Sequence, residues 1–173
     1  MNLTDLLAQA SQRLDAAQLA YGHGTQNAND EAAWLVLWQL GLPLDSDLQA
    51  LASRAVSSDE QAAVLALIQR RIDTREPAAY LTGEAWLQGV PFTVDRRTIV
   101  PRSFIAELLA DGSIDPWLSE DTRDVLDLCT GNGSLAVLAA MAYPDVRVTG
   151  ADISADALAV ARLNVERHGQ PTR

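Results

Sequence analysis

The feature that most constrains this chain is a fifty-residue stretch that switches period three times. Asp124-Val125-Leu126-Asp127-Leu128-Cys129 reads as a short apolar strand, and Thr130-Gly131-Asn132-Gly133 as the turn that closes it. The Ala-rich segment 134–143 is helical and is broken by Pro144-Asp145. A second strand over 146–151 ends at Asp152, and Ser154 or Asp156 caps a further helix running to about Arg167. Strand, helix and strand in that order form a βαβ unit, which requires parallel strands. The fold class is therefore α/β.

Two features of this unit point to a ligand. The glycine turn leads from the first strand into a helix N-terminus, where small residues let a ligand approach backbone N–H groups. Asp152 lies 19 positions after Gly133, about where a ribose-binding carboxylate belongs. Together they describe a nucleoside-containing cofactor; the plainer alternative is a turn that only packs helix on strand. Gly131-x-Gly133-x-x-Ala136 formally fits the dinucleotide fingerprint, so a nicotinamide-dependent oxidoreductase is one alternative. Asp127 argues against it, because its carboxylate lies where a pyrophosphate would sit. S-adenosylmethionine (SAM) suits the place better, since it has no phosphate and carries an ammonium and a sulfonium. Asp127 would hold the ammonium, directly or through water, and Asp152 the ribose hydroxyls. The alternative for Asp127 is a carboxylate satisfied by backbone N–H groups of the turn.

The chain before this unit has a different texture. Residues 1–75 read as short helices: Leu3, Leu6, Leu7, Ala10 and Leu14 recur at helical spacing, and Asn29 or Asp30 can cap a second, very apolar helix carrying Trp34 and Trp38. A third short helix fits 47–55. Ser57 and Ser58, with Glu60 and Gln61 three positions on, form a capping box for a fourth, whose stripe would be Val64, Leu65, Ile68 and Ile72. Residues 76–100, with Gly83, Gly89 and several β-formers, read as a β linker of hairpin type. From Pro101 a new unit begins, with Phe104, Ile105, Leu108 and Leu109 on one helical face.

Composition excludes several function classes. The net charge is -10 and all 13 basic residues are arginine, so nucleic acid is a poor first partner. No apolar run is long enough for a membrane span, and the first residues do not resemble a signal peptide. The single cysteine, Cys129, excludes an internal disulfide and a multi-thiolate zinc site. His23 lies in a glycine-flanked loop with no second ligand near it, and His168 ends a helix, where a cation is favourable, so no metal site is expected. A cytoplasmic location is the expectation.

Asp127-Leu128-Cys129-Thr130-Gly131-Asn132-Gly133 resembles the first motif of class I SAM-dependent methyltransferases, acid-x-Gly-x-Gly-x-Gly, with Cys129 in place of the first glycine. Arg75-Glu76-Pro77-Ala78-Ala79-Tyr80-Leu81-Thr82-Gly83 and Ile99-Val100-Pro101-Arg102 resemble the inter-domain segments of HemK-type protein-glutamine methyltransferases. Within that family, Tyr21-Gly22-His23-Gly24-Thr25, Asp30-Glu31-Ala32, Gly83-Glu84-Ala85-Trp86 and Pro101-Arg102-Ser103-Phe104-Ile105-Ala106-Glu107 are similar to the PrmB branch, which acts on the third protein of the large ribosomal subunit.

The resemblance implies a helical substrate-recognition domain over 1–75, the β linker, and over 101–173 the first part of a Rossmann-like SAM-binding domain. It implies methyl transfer to a glutamine side-chain amide of that ribosomal protein. The cofactor-binding residues it implies are Arg102, Asp127, Cys129, Thr130, Gly131, Asn132, Gly133, Asp152 and Ile153. The family's catalytic Asn-Pro-Pro-Tyr does not occur in the sequence, so the expectation is a chain cut after the second helix of its catalytic domain, with no catalytic residue and self-association through exposed sheet edges. Cys129 is expected to be buried under the turn, and Trp34 and Trp38 to lie in the core. A non-catalytic helical binding module is the remaining alternative.

Overall fold

Asn2 opens the first helix, α1 (Leu3–Ala16), by accepting the Asp5 N–H while Asp5 returns the bond to the Asn2 N–H. Leu3, Leu6, Ala10 and Leu14, at helical spacing, are wholly buried. The second helix, α2 (Ala28–Gln39), is capped by Asn27, two positions before the expected Asn29. Ser57 and Glu60 form the capping box of α3 (Ser58–Thr74). The computed structural model describes residues 1–170 and divides the chain into two compact units, Met1–Thr82 and Gly83–Arg173.

In the first unit the three helices and the short α4 (Ala78–Thr82) share one core that includes Leu35, Val64, Ile68 and Leu81. The buried stripe of α3 is Val64, Leu67, Ile68 and Arg71. Arg71 is 2% exposed because its Nε donates to Glu31 Oε1 at 2.7 Å and its guanidinium also reaches the Ala20 carbonyl. Glu31 Oε2 accepts the Thr25 hydroxyl at 2.9 Å, so the pair is hydrogen-bonded on both sides. Residues 47–55, expected to be helical, form successive turns. Their carbonyls are used elsewhere: Ala52 O accepts from Thr4 and Arg54 O from the Leu3 N–H. Trp34 packs against the core as expected. Trp38 does not; it is 38% exposed.

The division after Thr82 leaves the hairpin in the second unit. Strands β1 (Glu84–Leu87) and β2 (Val90–Thr93) pair antiparallel around Gln88 and Gly89, both at positive φ, as a two-residue turn requires. The hairpin is seated: Phe92 is fully buried against Ala106, Val137 and Leu138. Its neighbour Pro91 accepts from His168 Nε2 at 2.8 Å.

The rest of the second unit is the α/β part. Helix α5 (Phe104–Ala110) buries Ala106, while Phe104, Ile105 and Leu108 are exposed, contrary to the expected apolar face. At seven residues it covers its core with one small side chain. Strands β3 (Asp124–Leu128) and β4 (Arg147–Ala151) pair in parallel, Asp124 beside Arg147 through Leu128 beside Ala151. Helix α6 (Ser134–Ala142) joins them and α7 (Ala155–Arg167), capped by Ser154, follows β4. The fold class is α/β, as expected. The last three positions of the 101–173 segment lie outside the described residues.

Candidate cofactor site

The site is built where β3 stops. Cys129, Gly131 and Gly133 all have positive φ, 63°, 57° and 79°, so alternate residues of the turn are left-handed. Cys129 holds the conformation that glycine adopts freely, which shows how the motif keeps its shape without its first glycine. The thiol is exposed, a correction to the expected burial: Cys129 stands one residue past Leu128, the last paired position of β3. Gly133 has a second reason to be glycine. A Cβ there would lie 3.0 Å from the Ala161 Cβ and 3.2 Å from its Cα.

Two carboxylates tie the turn down. Asp127 Oδ2 accepts the Thr130 hydroxyl at 2.5 Å and the Ala136 N–H at 3.1 Å, in the first turn of α6. The plainer reading of Asp127 therefore holds in part: its carboxylate braces the turn, and both bonds fall on one oxygen. Asp152 accepts the Gly131 N–H through Oδ2 and the Ser154 N–H through Oδ1, each at 2.9 Å. These two backbone donors, Ser154 foremost, hold the Asp152 carboxyl below the usual carboxylate range. An anion at the end of β4 is thus present at any physiological pH.

Asn132 is 3% exposed; its side chain accepts from Ser134 N–H and donates to the Thr93 carbonyl. Ile153, just beyond β4, is fully exposed and offers an apolar surface beside Asp152. The structure thus brings Asp127, Thr130, Gly131 and Asp152 into one hydrogen-bonded set and places Asn132, Gly133, Cys129 and Ile153 along the same chain turns. Arg102 stands apart, exposed before α5, with no hydrogen bond to this set. A cleft of about 710 Å³ touches the turn at Thr130 and Gly133. It runs down to Pro144 and Arg147 at the opposite end of β4, and neither Asp127 nor Asp152 lines it.

One residue was invisible to motif reading. Asn164 of α7 is fully buried and bonds both to the turn and to β2. Its signal in the sequence is a polar residue continuing the apolar stripe Ala157, Val160 and Ala161.

Residues 5–83 match the PrmC N-terminal domain family, and residues 112–173 the methyltransferase small domain family. The chain is 52% identical over 171 residues to a ribosomal protein uL3 glutamine methyltransferase of Burkholderia pseudomallei (strain K96243), covering 98% of this chain and 55% of that protein. The protein of that name from Bordetella pertussis is 52% identical over 173 residues, with 99% and 57% covered. That from Neisseria meningitidis serogroup B is 47% identical over 173 residues, with 99% and 56% covered. Over nearly its whole length the chain is thus similar to ribosomal protein uL3 glutamine methyltransferases. It spans about half the length of the curated relatives it matches. The two domain matches fall on the helical first unit and on the βαβ part of the second, and the relatives' names agree with the branch that the Tyr21–Thr25 and Gly83–Trp86 motifs resemble.

Proposed function

We propose that this chain provides the substrate-recognition domain and the cofactor-binding part of a SAM-dependent protein-glutamine methyltransferase acting on ribosomal protein uL3 in the cytoplasm. The observation that carries the reading is the glycine turn held between two carboxylates, Asp127 and Asp152. A cationic, phosphate-free cofactor fits this donor set; a pyrophosphate would meet Asp127 at close range. Bound there, SAM supplies an electrophilic methyl group on a sulfonium sulfur.

The chain's own residues do the binding. Asp127 keeps Oδ1 for the ammonium while Oδ2 braces Thr130 and α6. Asp152 has one lone pair left on each oxygen for the ribose hydroxyls, since a carboxylate accepts at about four sites. Gly131, Asn132 and Gly133 let the ligand lie against backbone, Cys129 and Thr130 flank it, and Ile153 covers the adenine. Arg102 lies at the substrate edge. The β3–β4 pair is a two-stranded sheet, and through its exposed edges this polypeptide by itself would self-associate.

The test is incubation of the full-length protein with isotopically labelled SAM and purified uL3. Label on a glutamine amide is the expected result. Binding of NAD with no binding of SAM in calorimetry would favour the oxidoreductase instead, and binding of uL3 with no label would favour the non-catalytic module. Residues 1–173 alone, with no Asn-Pro-Pro-Tyr to hold the amide, are expected to transfer no label; stoichiometric transfer would place the catalytic groups among residues described here as structural.

A further inference from the structure

Gly131 and Gly133 give the turn its shape and also leave it free to flip, because glycine accepts either sign of φ. The peptide unit between Asn132 and Gly133 is rigid and planar, so its orientation is set by whatever holds its two ends. The Gly133 N–H donates to Thr130 O at 2.9 Å. The Asn132 carbonyl accepts from Asn164 Nδ2 at 2.8 Å. Asn164 Nδ2 also donates to Thr93 O at 2.9 Å, and its Oδ1 accepts the Thr93 N–H at 2.7 Å. Every strong hydrogen-bonding atom of this buried carboxamide except a second lone pair is therefore used, and only one of its two amide orientations satisfies Thr93.

We propose that Asn164 is a positioning residue for the cofactor turn: it fixes the Asn132–Gly133 peptide plane and fastens it to the end of β2, so that the hairpin and the cofactor site are ordered together. Asn164 touches no ligand in this scheme. It acts through the carbonyl of Asn132, as Asp152 acts on the other side through the Gly131 N–H. The proposal rests on the SAM reading above, and goes beyond it by assigning the hairpin a part in cofactor affinity.

The experiment uses the full-length protein and three variants. Asn164→Ala removes all three bonds. Asn164→Asp keeps volume and the acceptor for Thr93 N–H, but as a carboxylate turns an oxygen on two carbonyls. Val160→Ala, also fully buried on α7, is the control for simple loss of packing. Asn164→Ala is expected to raise the KM for SAM about tenfold or more at nearly unchanged kcat, whereas Val160→Ala lowers Tm and leaves that KM in place. In Asn164→Asp, burial favours the neutral acid, which can donate again, so its KM for SAM falls as pH is lowered from 8 to 5.5 while the wild type stays flat. An unchanged KM in Asn164→Ala, or an equal rise in Val160→Ala, overturns the proposal. Should the wild type bind no SAM, the cofactor reading itself fails. Amide hydrogen exchange then separates the two: faster exchange at Thr93 and Gly133 in Asn164→Ala alone upholds the fastening, and unchanged exchange refutes it.

Discussion

Asp152 reaches back to Gly131 and accepts its backbone N–H at 2.9 Å, while its other oxygen takes the Ser154 N–H. One carboxylate thereby joins the glycine turn after β3 to the cap of α7. In the proposed site the same group also receives the ribose, so Asp152→Ala is expected to weaken SAM binding roughly 10- to 100-fold, in line with loss of charged hydrogen bonds. Because the folded Asp152 carboxyl sits below its ordinary value, its contribution is complete above the normal carboxylate range and disappears as pH falls through the folded value. Calorimetry should therefore show SAM affinity flat from pH 8 to 5. A step near pH 6 would assign the decisive group to something other than Asp152.

The Arg71–Glu31 pair makes a second prediction, on stability. Both side chains are almost fully buried, 2% and 4% exposed. Removing one partner leaves a bare charge in the core, so Arg71→Met should cost about 3–5 kcal/mol. The double variant Arg71→Met, Glu31→Leu should recover much of that. Urea unfolding followed by tryptophan fluorescence measures both, and equal losses in single and double variants would show that shape, not charge, is what the pair supplies.

Acid should loosen the first unit through Glu60. Its carboxyl is lowered to about 2, chiefly by the Ser57 N–H of the capping box and then by Arg54. The stabilisation is present above the unfolded carboxylate value, near 4.5, and is lost as pH falls toward 2. Glu60→Gln should flatten that part of the profile of Tm against pH. A profile that keeps its slope would move the effect to another acid.

The left-handed positions of the turn should respond differently to substitution. Cys129→Gly relieves a non-glycine residue at φ 63° and is expected to stabilise by up to about 1 kcal/mol, the left-handed penalty less the entropy of an added glycine. Gly131→Ala meets no neighbour within 4 Å and should cost about 1 kcal/mol, whereas Gly133→Ala also drives a Cβ into the backbone of Ala161 and should cost more. Equal losses at the two glycines in thermal melts would contradict the close approach of α7.

Much of this was legible because the chemistry is local. The βαβ order, the capping box at Ser57 and the hairpin follow from neighbours in sequence, and the glycine turn with Asp152 at its interval locates the site. What sequence missed lies in long-range polar bonds. Arg71 and Asn164 each occupy a buried-stripe position that apolar periodicity assigns to a hydrophobe, and only the partner, Glu31 or Thr93, explains why a polar side chain belongs there. The turns over 47–55 escape helical spacing for a related reason: their carbonyls serve the start of α1, a demand that local propensity cannot register. Trp38 and Phe104 show the converse, large apolar residues at helical spacing that the structure leaves exposed while Leu35, Val36 and Leu37 of α2 and Ala106 of α5 are the ones buried.

The register of the hairpin has one more consequence. Val94 N–H bonds to Gly83 O, across to the β1 side, so alternation turns the main-chain groups of Thr93 and Pro91 to the outer edge of β2. Every one of those groups is occupied. Pro91 has no N–H to offer and its carbonyl takes His168; Thr93 is closed on both atoms by Asn164. A two-stranded ribbon would ordinarily invite a third strand from another molecule. Here side chains of α7 and its C-cap stand in for that strand, and the hairpin is closed to edge-to-edge polymerisation along β2.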